Sequence, residues 1–345
     1  MRNLTRRTSL IAGAALAMPW IGSGRVRAAE PTAAEIEAAA KKEGRLVIYT
    51  SSVDAEMQKQ VAAFEKAYPG IRVEWIRQPS TTVFNRFVGE VEAGVVQADM
   101  LYTASTALYQ ERPELFRPLT AAMLPNAGDN APVKAKNANY VIDAVSPHAI
   151  TYSTRTVSQD DIRQHLRSWK DLTNPRWKGK IALVDPKIST NITSWLLVMR
   201  DAYGADWVRA LGQHGIQMVG TGTAGAQQAV AGAYQIVVPT TLSHSAQLRA
   251  QRAPVAVFQP EGPAHGLENG AAVPVKSNHP NAALLWINWK FGQTAQKIVC
   301  ELGQVPVMPV DDPACPKLSP NHIGSNDTIS PALQRELIEL VGLRP

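Results

Sequence analysis

The sequence predicts an α/β fold with largely parallel sheets. Short apolar runs alternate with amphipathic helical stretches over most of the chain, which is typical of strand–helix–strand units. The length of 345 residues and the apolar content of 45% are sufficient for about two domains with buried cores. The same apolar content excludes low-complexity disorder, and the scattered Gly and Pro residues exclude a collagen-like repeat.

The first strand–helix–strand unit shows the pattern clearly. Leu46–Thr50 is a continuous run that predicts a buried strand. Ala55–Tyr68 follows as a helix, because its apolar residues recur at helical spacing, and Pro69-Gly70 ends it. In Ile71–Trp75, apolar and charged residues alternate, which predicts the second strand.

The remaining elements continue this alternation along the chain. Further strands are predicted at Asp99–Thr103, Tyr140–Val145, Ala149–Ser153, Ile181–Asp185, Ile216–Val219, Tyr234–Val238, Val255–Phe258 and Ala271–Val275. Further helices are predicted at Thr82–Ala93, Thr190–Ala202, Thr223–Ala233, Leu242–Ala250 and Asn281–Leu302. The sequence contains no internal repeat and no linker rich in Ser, Gly or Pro that would separate independent domains.

The N-terminus has the pattern of an export signal. Residues 1–28 contain five arginines and no acidic residue, so they supply five of the six formal positive charges. A basic start, an apolar run over Leu10–Ile21 and small residues near Ala28 are typical of a cleaved secretory signal. The run is shorter than the roughly 20 apolar residues of a membrane span. The Arg6-Arg7 pair favours the twin-arginine route, with a Sec signal as the alternative.

The rest of the chain is nearly neutral. Without those five arginines, 30 basic residues stand against 29 acidic ones. The net charge of this part therefore predicts no nucleic-acid partner and no attraction to an anionic membrane. No second uncharged apolar run is long enough to span a bilayer, so we expect a soluble mature protein.

The two cysteines, Cys300 and Cys315, are predicted to form a disulfide. An exported protein folds in an oxidising compartment, where such bonds persist. Three prolines between the cysteines can turn the chain back, and closing a loop of this length contributes about 3 kcal/mol in the chain-entropy model. Two unpaired core thiols are the alternative.

Residues Gly220–Gly225 match the pattern G-x-G-x-x-G between a predicted strand and a predicted helix. This pattern is typical of dinucleotide-binding loops, so an exported NADP-dependent oxidoreductase is one hypothesis. The acidic residue that NAD-binding loops carry about 20 positions later is missing, because no Asp or Glu occurs from Ala226 to Pro260. Other enzymatic motifs are absent and the seven histidines lack metal-ligand spacing. We therefore expect no catalytic residues, no metal site and no cofactor.

Hydroxyl residues recur where a predicted strand ends and a helix begins. Such positions, at the carboxyl ends of parallel strands, bind ligands in open α/β sheets. Plain helix N-capping is the alternative for each cluster. Together the clusters predict a polar cleft whose ligand-binding residues are Ser51, Ser52, Ser105, Ser189, Thr190, Asn191, Thr221, Thr240 and Thr241.

Several segments carry a family likeness when read together. They are Lys41–Ser52, Ala62–Ile71, Trp169–Pro186, Ala282–Gln296 and Gly303–Val307. In this order they resemble the periplasmic solute-binding proteins of the ferric-iron-binding type, and the likeness extends from about Ala34 to Val310.

This resemblance implies a two-lobed clamshell of the type II periplasmic binding fold. Such a protein closes on a small-molecule solute and delivers it to an inner-membrane ABC permease, here as a periplasmic monomer after cleavage near Ala28. Residues 29–145 and 265–310 would form lobe 1, residues 146–264 lobe 2 and residues 311–345 a C-terminal extension. A periplasmic sensory protein with the same fold is an alternative.

The resemblance breaks down at the metal ligands. Ferric-binding members carry two adjacent tyrosines after the strand that corresponds to Tyr234–Pro239, whereas this chain has Thr240-Thr241. Neutral hydroxyls are poor ligands for a hard trivalent ion. A small organic anion such as a phosphonate, phosphate ester or carboxylate is therefore favoured over ferric iron or a ferric chelate. Arg86 is the first candidate for its cationic donor, with Arg155 and Lys187 as alternatives.

Overall fold

The computed structural model describes residues 31–128, 137–324 and 329–344, apart from the side chain of Thr190. The predicted export signal, residues 1–28, lies outside the described residues. Within the described ranges, no helix is both long and apolar enough to cross a bilayer.

The described chain alternates helices and strands, as the sequence predicts. The helices are α1 (Ala33–Glu43), α2 (Asp54–Ala67), α3 (Ser80–Glu92), α4 (Ala107–Glu111), α5 (Gln159–His165), α6 (Thr190–Tyr203), α7 (Ala205–Gly212), α8 (Gly222–Ala231), α9 (Ala246–Ala250), α10 (Pro280–Lys290), α11 (Gln293–Glu301) and α12 (Pro331–Leu340). The strands are β1 (Arg45–Thr50), β2 (Arg72–Arg77), β3 (Met100–Thr103), β4 (Val141–Pro147), β5 (Ala149–Ser153), β6 (Ile181–Val184), β7 (Gln217–Val219), β8 (Ile236–Thr240), β9 (Val255–Phe258), β10 (Ala264–Ala272), β11 (Val305–Pro306) and β12 (His322–Ile323).

The strands form two sheets, which confirms the predicted α/β class. The first sheet has the order β11–β4–β10–β3–β1–β2, with β12 added beside β10, and the second has the order β7–β6–β8–β5–β9. Both sheets are mixed: β1 pairs in parallel with β2 and β3, and β6 with β7 and β8, whereas β10 and β5 pair antiparallel with their neighbours in the sheet order. We call the first sheet with its helices lobe 1 and the second lobe 2.

Each lobe has its own apolar core. In lobe 1, Phe64 packs against Trp286 and Trp289 between α2 and α10. In lobe 2, Trp195 of α6 packs between Trp169 and Trp207. The chain passes from lobe 1 to lobe 2 at His148, between β4 and β5, and returns through residues 259–263, between β9 and β10.

The C-terminal segment contacts both lobes. Cys300, at the end of α11, forms the predicted disulfide with Cys315. Strand β12 then pairs in parallel with β10, and α12 places Leu337 and Val341 in the core of lobe 2.

Several predicted elements begin or end a few residues from the observed ones, and two differ more. The strand predicted at Ala271–Val275 is the end of β10, which starts seven residues earlier at Ala264. The helix predicted over Asn281–Leu302 is divided at Gly292 into α10 and α11. The buried side chain of Gln296 stabilises this break, because its Nε2 donates to the carbonyl of Lys290 at 2.7 Å.

Candidate functional site

A cavity of about 170 Å³ lies between the two lobes, at strand ends of both sheets. We call it the interlobe cavity. Its lobe 1 wall comes from the segments that follow β1, β2 and β3, and includes Ser51, Arg77, Gln78, Pro79, Ser80 and Ala104. Its lobe 2 wall comes from the segments that follow β6, β7 and β8, and includes Ser189, Asn191, Gly220, Thr221, Gly222 and His244.

Four residues predicted from the sequence line this cavity: Ser51, Ser189, Asn191 and Thr221. A fifth, Ser105, lies beside it and is buried. Its Oγ accepts a hydrogen bond of 3.0 Å from Asn191 Nδ2. Because Ser105 follows β3 and Asn191 belongs to α6, this bond joins the two lobes directly. The sixth, Thr190, is at the start of α6, and its side chain lies outside the described residues.

Three other predicted hydroxyl residues lie outside the described lining of the cavity. Thr240 is still part of β8, so its hydroxyl is used inside the sheet, where it bonds to Thr151 Oγ1 at 2.8 Å and donates to the Ala149 carbonyl at 3.0 Å. Thr241 pairs with Ser243 at 2.9 Å. Ser52 turns into lobe 1 and donates to Glu56 at 3.4 Å. None of the three lines the interlobe cavity.

The predicted cationic donor, Arg86, also lies outside the described lining. Arg86 lies two turns into α3, where it is exposed, pairs with Glu90 at 3.1 Å and covers the ring of Tyr49 at 5.0 Å. Arg155 donates to the Val230 carbonyl, and Lys187 lines a neighbouring crevice rather than the interlobe cavity.

Arg77 supplies the charge that the sequence assigned to Arg86. It is the last residue of β2, and its Nε donates to the Ser52 carbonyl at 3.1 Å. Among the described residues, no carboxylate forms an ion pair with it. It is the one charged residue in the described lining, which contains neither Asp, Glu nor Tyr. The sequence could have indicated Arg77, because the carboxyl end of a strand is where such sheets bind ligands. It was missed because the predicted strand ended at Trp75, two residues before the observed end of β2.

His244 is a neutral donor on the opposite wall. It lies in a short 3₁₀ helix over Leu242–Ser245, and its Nδ1 accepts from the Thr241 N–H at 3.1 Å. Burial, with a smaller contribution from Arg77, lowers the pKa of His244 from 6.5 to about 4. The ring is therefore uncharged near neutral pH, and its proton is on Nε2.

Three helices begin at the cavity: α3 after Pro79, α6 after Ser189 and α8 after Thr221. Of these three residues, only Thr221 caps its helix through a side chain, which accepts from the Ala224 N–H at 3.1 Å. The first N–H groups of a helix have no intrahelical acceptor and carry a partial positive charge. Converging N-termini of this kind favour an anion.

Packing explains the glycine pattern at Gly220–Gly225. A Cβ on Gly222 would lie 2.2 Å from His244 Nδ1, and a Cβ on Gly225 would lie 2.5 Å from Val237. Gly220 has no close neighbour. The pattern therefore allows α8 to approach His244 and the sheet, and a bound dinucleotide is not needed to account for it.

A buried histidine pair lies where the chain crosses between the lobes. His148 lines the cavity, and its Nδ1 is 2.9 Å from Nδ1 of His265. The other ring nitrogen of His265 is 3.0 Å from Ser194 Oγ in α6. Burial lowers the pKa of His265 to about 3 and that of His148 well below 6.5, so both rings are neutral.

No metal centre forms in the cavity from the residues that the structure describes. Their one cluster of potential ligands, Cys300, Asp312 and Cys315, includes the two disulfide-bonded cysteines.

Two mixed α/β lobes, repeated passage of the chain between them and a polar cavity where they meet are the architecture of a two-lobed solute-binding protein. Residues 95–331 match the family described as Bacterial extracellular solute-binding protein, and the chain belongs to this family. The family consists of exported proteins that deliver small-molecule solutes to ABC permeases. Its members and the structural relatives below are binding proteins, not enzymes, which removes the oxidoreductase hypothesis.

Similar proteins support this fold. An uncharacterized protein of Haemophilus influenzae is 21% identical over 277 residues, covering 78% of this chain and 79% of that protein. The substrate-binding protein of an ABC transporter from Agrobacterium tumefaciens is similar in structure, with a TM-score of 0.73 and 16% identity over 86% of this chain and 93% of that one. Iron-bound HitA from Pseudomonas aeruginosa gives a TM-score of 0.67 at 18% identity, over 87% and 99% of the two chains. AfuA from Actinobacillus pleuropneumoniae, with bound fructose 6-phosphate, gives a TM-score of 0.68 at 20% identity, covering 87% of this chain and 99% of that one.

Proposed function

We propose that this protein captures a small organic anion in the interlobe cavity and delivers it to an ABC permease of the inner membrane. A phosphonate, a phosphate ester or a carboxylate is the class we favour. One observation carries the proposal: Arg77 and three helix N-termini line the cavity, and its described lining contains no carboxylate and no phenol.

The donors suit an anion with several oxygens. The Arg77 guanidinium can donate two parallel hydrogen bonds to a phosphate or carboxylate. The helix N-termini add partial positive charges, and His244 adds an uncharged N–H from the opposite wall. Because Arg77 belongs to lobe 1 and His244 to lobe 2, an anion between them would favour the state in which the lobes are together.

Ferric iron is the competing solute. HitA is iron-bound and a FutA protein of Trichodesmium holds iron and citrate, whereas AfuA binds a phosphate ester on the same fold. A bare ferric ion prefers anionic oxygen ligands, and none is present in the described lining. A ferric chelate brings its own ligands and competes with the organic anion, so the test includes both.

The test compares two arginines of lobe 1. Purified wild type, Arg77→Ala and Arg86→Ala are titrated calorimetrically with methylphosphonate, glycerol 3-phosphate, citrate, ferric citrate and ferric nitrilotriacetate. We expect an iron-free anion to bind the wild type, and Arg77→Ala to weaken that binding about 10- to 100-fold, since a hydrogen bond to a charged group contributes about 1.5–3 kcal/mol. Arg86→Ala is the matched control and should bind as the wild type does. Binding of ferric compounds alone, or equal binding by the two variants, would contradict the proposal.

We also propose that residues 1–28 direct export through the twin-arginine route, with cleavage near Ala28 and a monomeric mature protein in the periplasm. N-terminal sequencing of the periplasmic form and its elution in size-exclusion chromatography test this. An Arg6→Lys, Arg7→Lys variant should remain in the cytoplasm, and its normal export would favour the Sec route.

A further inference from the structure

A second cavity of about 520 Å³ adjoins the first. We call it the outer crevice. Asn191 lines both cavities, and neighbouring residues of the chain divide between them: Ser80 and Ala104 line the interlobe cavity, whereas Thr81 and Ser105 line the outer crevice. The bond between Asn191 and Ser105 therefore lies where the two spaces meet.

One wall of the outer crevice is formed by the start of α12. Ile329, Pro331 and Gln334 line it. The residues that match the family end at position 331, so Gln334 and most of α12 lie beyond the matched part. Of the three residues, only Gln334 lies beyond the part of the chain that matches the family.

Helix α12 is fixed to lobe 2. Leu337 is fully buried in the core of that lobe, and Glu336 pairs with Arg200 of α6 at 3.1 Å. The backbone of Val341 lies so close to α7 that a Cβ on Gly212 would be 2.4 Å from its carbonyl oxygen. The opposite wall, α3 and α4, belongs to lobe 1, so the crevice lies between the lobes as the interlobe cavity does.

The polar groups of the outer crevice are mostly uncharged. Gln334 is half-buried, and its side-chain amide has no hydrogen-bond partner among the described residues. Thr81 and Asn85 of α3 also line the crevice, and their side chains have no partner within the described ranges. Lys187 and Glu111 add one charge of each sign. This balance suits an uncharged, hydroxyl-bearing group better than a second anionic one.

We propose that the outer crevice binds the uncharged polar part of a two-part solute whose anionic part occupies the interlobe cavity, and that Gln334 of α12 is a specificity-determining residue for that part. The inference rests on the proposed function, because it takes the interlobe cavity as the anion site.

The test uses two probes that share an anionic group and differ in the attached chain: methylphosphonate and glucose 6-phosphate. Calorimetry is performed on the wild type, on Gln334→Ala and on Gln213→Ala, the same change at an exposed position at the end of α7. We expect Gln334→Ala to weaken glucose 6-phosphate about three- to tenfold, the range for one neutral hydrogen bond, and to leave methylphosphonate unchanged. Gln213→Ala should bind both probes as the wild type does.

A second variant, Gln334→Trp, places a larger apolar side chain in the crevice and should weaken glucose 6-phosphate more than Gln334→Ala while methylphosphonate still binds. Equal effects of both variants on the two probes, or no effect on either, would overturn the inference and leave the anion site intact. Failure of the wild type to bind either probe would overturn this inference, and failure to bind any of the iron-free anions tested above would remove the proposed function as well.

Discussion

The two lobes bury their polar groups in different ways. In lobe 1, Lys290 is fully buried, with Nζ 3.3 Å from Asp143, and Tyr102 donates to the same carboxylate at 3.0 Å. Glu56 is buried as well and accepts from Gln304 at 3.2 Å. Lobe 2 packs four tryptophans, and its buried polar residues, within the described ranges, are uncharged: hydroxyl residues and Asn191.

This difference separates the two walls of the solute site. The wall of lobe 1 carries a charged donor, Arg77, and the core behind it contains buried charged residues. The wall of lobe 2 carries backbone N–H groups and His244, and the described core behind it contains no charged residue. Removing one member of a buried ion pair is severe because the other is left uncompensated. An apolar core responds mainly to lost volume. We therefore expect lobe 1 to be sensitive to charge and lobe 2 to shape.

The largest effect is expected for Lys290→Met. The substitution keeps most of the volume but leaves Asp143 without its cation, so we expect a loss of about 3–5 kcal/mol in the free energy of unfolding. Burial raises the pKa of Asp143 and of Glu56, so both carboxyls protonate more readily than in water. The loss should therefore shrink as the pH falls.

Urea denaturation at pH 7 and pH 5 measures this loss, with Lys297→Met at an exposed position of α11 as the control. A Lys290→Met protein as stable as that control would abolish the contrast between the lobes.

The next largest effect concerns the covalent link between α11 of lobe 1 and the C-terminal segment that ends on lobe 2. Replacing Cys300 and Cys315 together by Ser should lower the free energy of unfolding by about 3 kcal/mol, because the loop between them is no longer closed in the unfolded chain. Wild type unfolded in a reducing buffer should behave as the double variant does. If reduction leaves the urea midpoint unchanged, the bond does not contribute to stability.

The third prediction concerns the boundary between the lobes and has the opposite pH dependence to the carboxyls of lobe 1. The pKa of His244 falls from 6.5 to about 4 on burial, so below pH 6.5 the unfolded chain takes up a proton that the folded protein excludes. Stability is therefore lost as the pH falls from 6.5 towards 4. Over this range, the free energy of unfolding of His244→Gln should fall by about 2 kcal/mol less than that of the wild type.

Thermal and urea unfolding at pH 7, 5.5 and 4.5 measure this slope. His165→Gln, a change at a half-exposed position of α5, is the control. Parallel stability curves for the wild type and His244→Gln would contradict a neutral His244 in the folded protein.

Much of the fold could be predicted from the sequence because its signals are local. Strand β5 at Ala149–Ser153 and β9 at Val255–Phe258 begin and end as predicted, since each is a short apolar run between turn residues. Helices α1, α4, α5, α7 and α12 and the two-residue strands β11 and β12 were missed. The position of α12 depends on packing against α6 and α7 in the core of lobe 2. Those helices are distant from α12 in sequence, so no local pattern shows the contact.

The cavity contains some of the predicted residues, and two of the differences have the same physical cause. Ser51, Ser189 and Thr221 directly follow strands, so their position alone places them at the cavity. Thr240 is one residue too early, because β8 continues through it and its hydroxyl bonds inside the sheet. Arg77 was missed because β2 extends two residues beyond the alternation that predicted it. A shift of one or two residues at a strand end decides which side chain faces the cavity.

The smallest effect tests whether shape alone governs lobe 2. Trp195 and Trp169 pack edge to face, with ring centroids 5.2 Å apart, and both are buried in the same core. Trp169 Nε1 donates to the Pro263 carbonyl at 3.2 Å, whereas Trp195 Nε1 has no acceptor among the described residues. Trp195→Phe therefore loses volume but also removes an unpaired buried N–H, and we expect a net loss of about 1 kcal/mol.

Trp169→Phe is the matched control, because the same change there also leaves the Pro263 carbonyl without its donor. It should cost about 1 kcal/mol more than Trp195→Phe in urea denaturation. Since the two substitutions remove the same atoms from one core, the difference between them isolates the hydrogen bond from the volume. Equal losses would mean that packing volume decides the stability of lobe 2 whatever the state of its buried N–H groups, which would sharpen its contrast with the charged core of lobe 1.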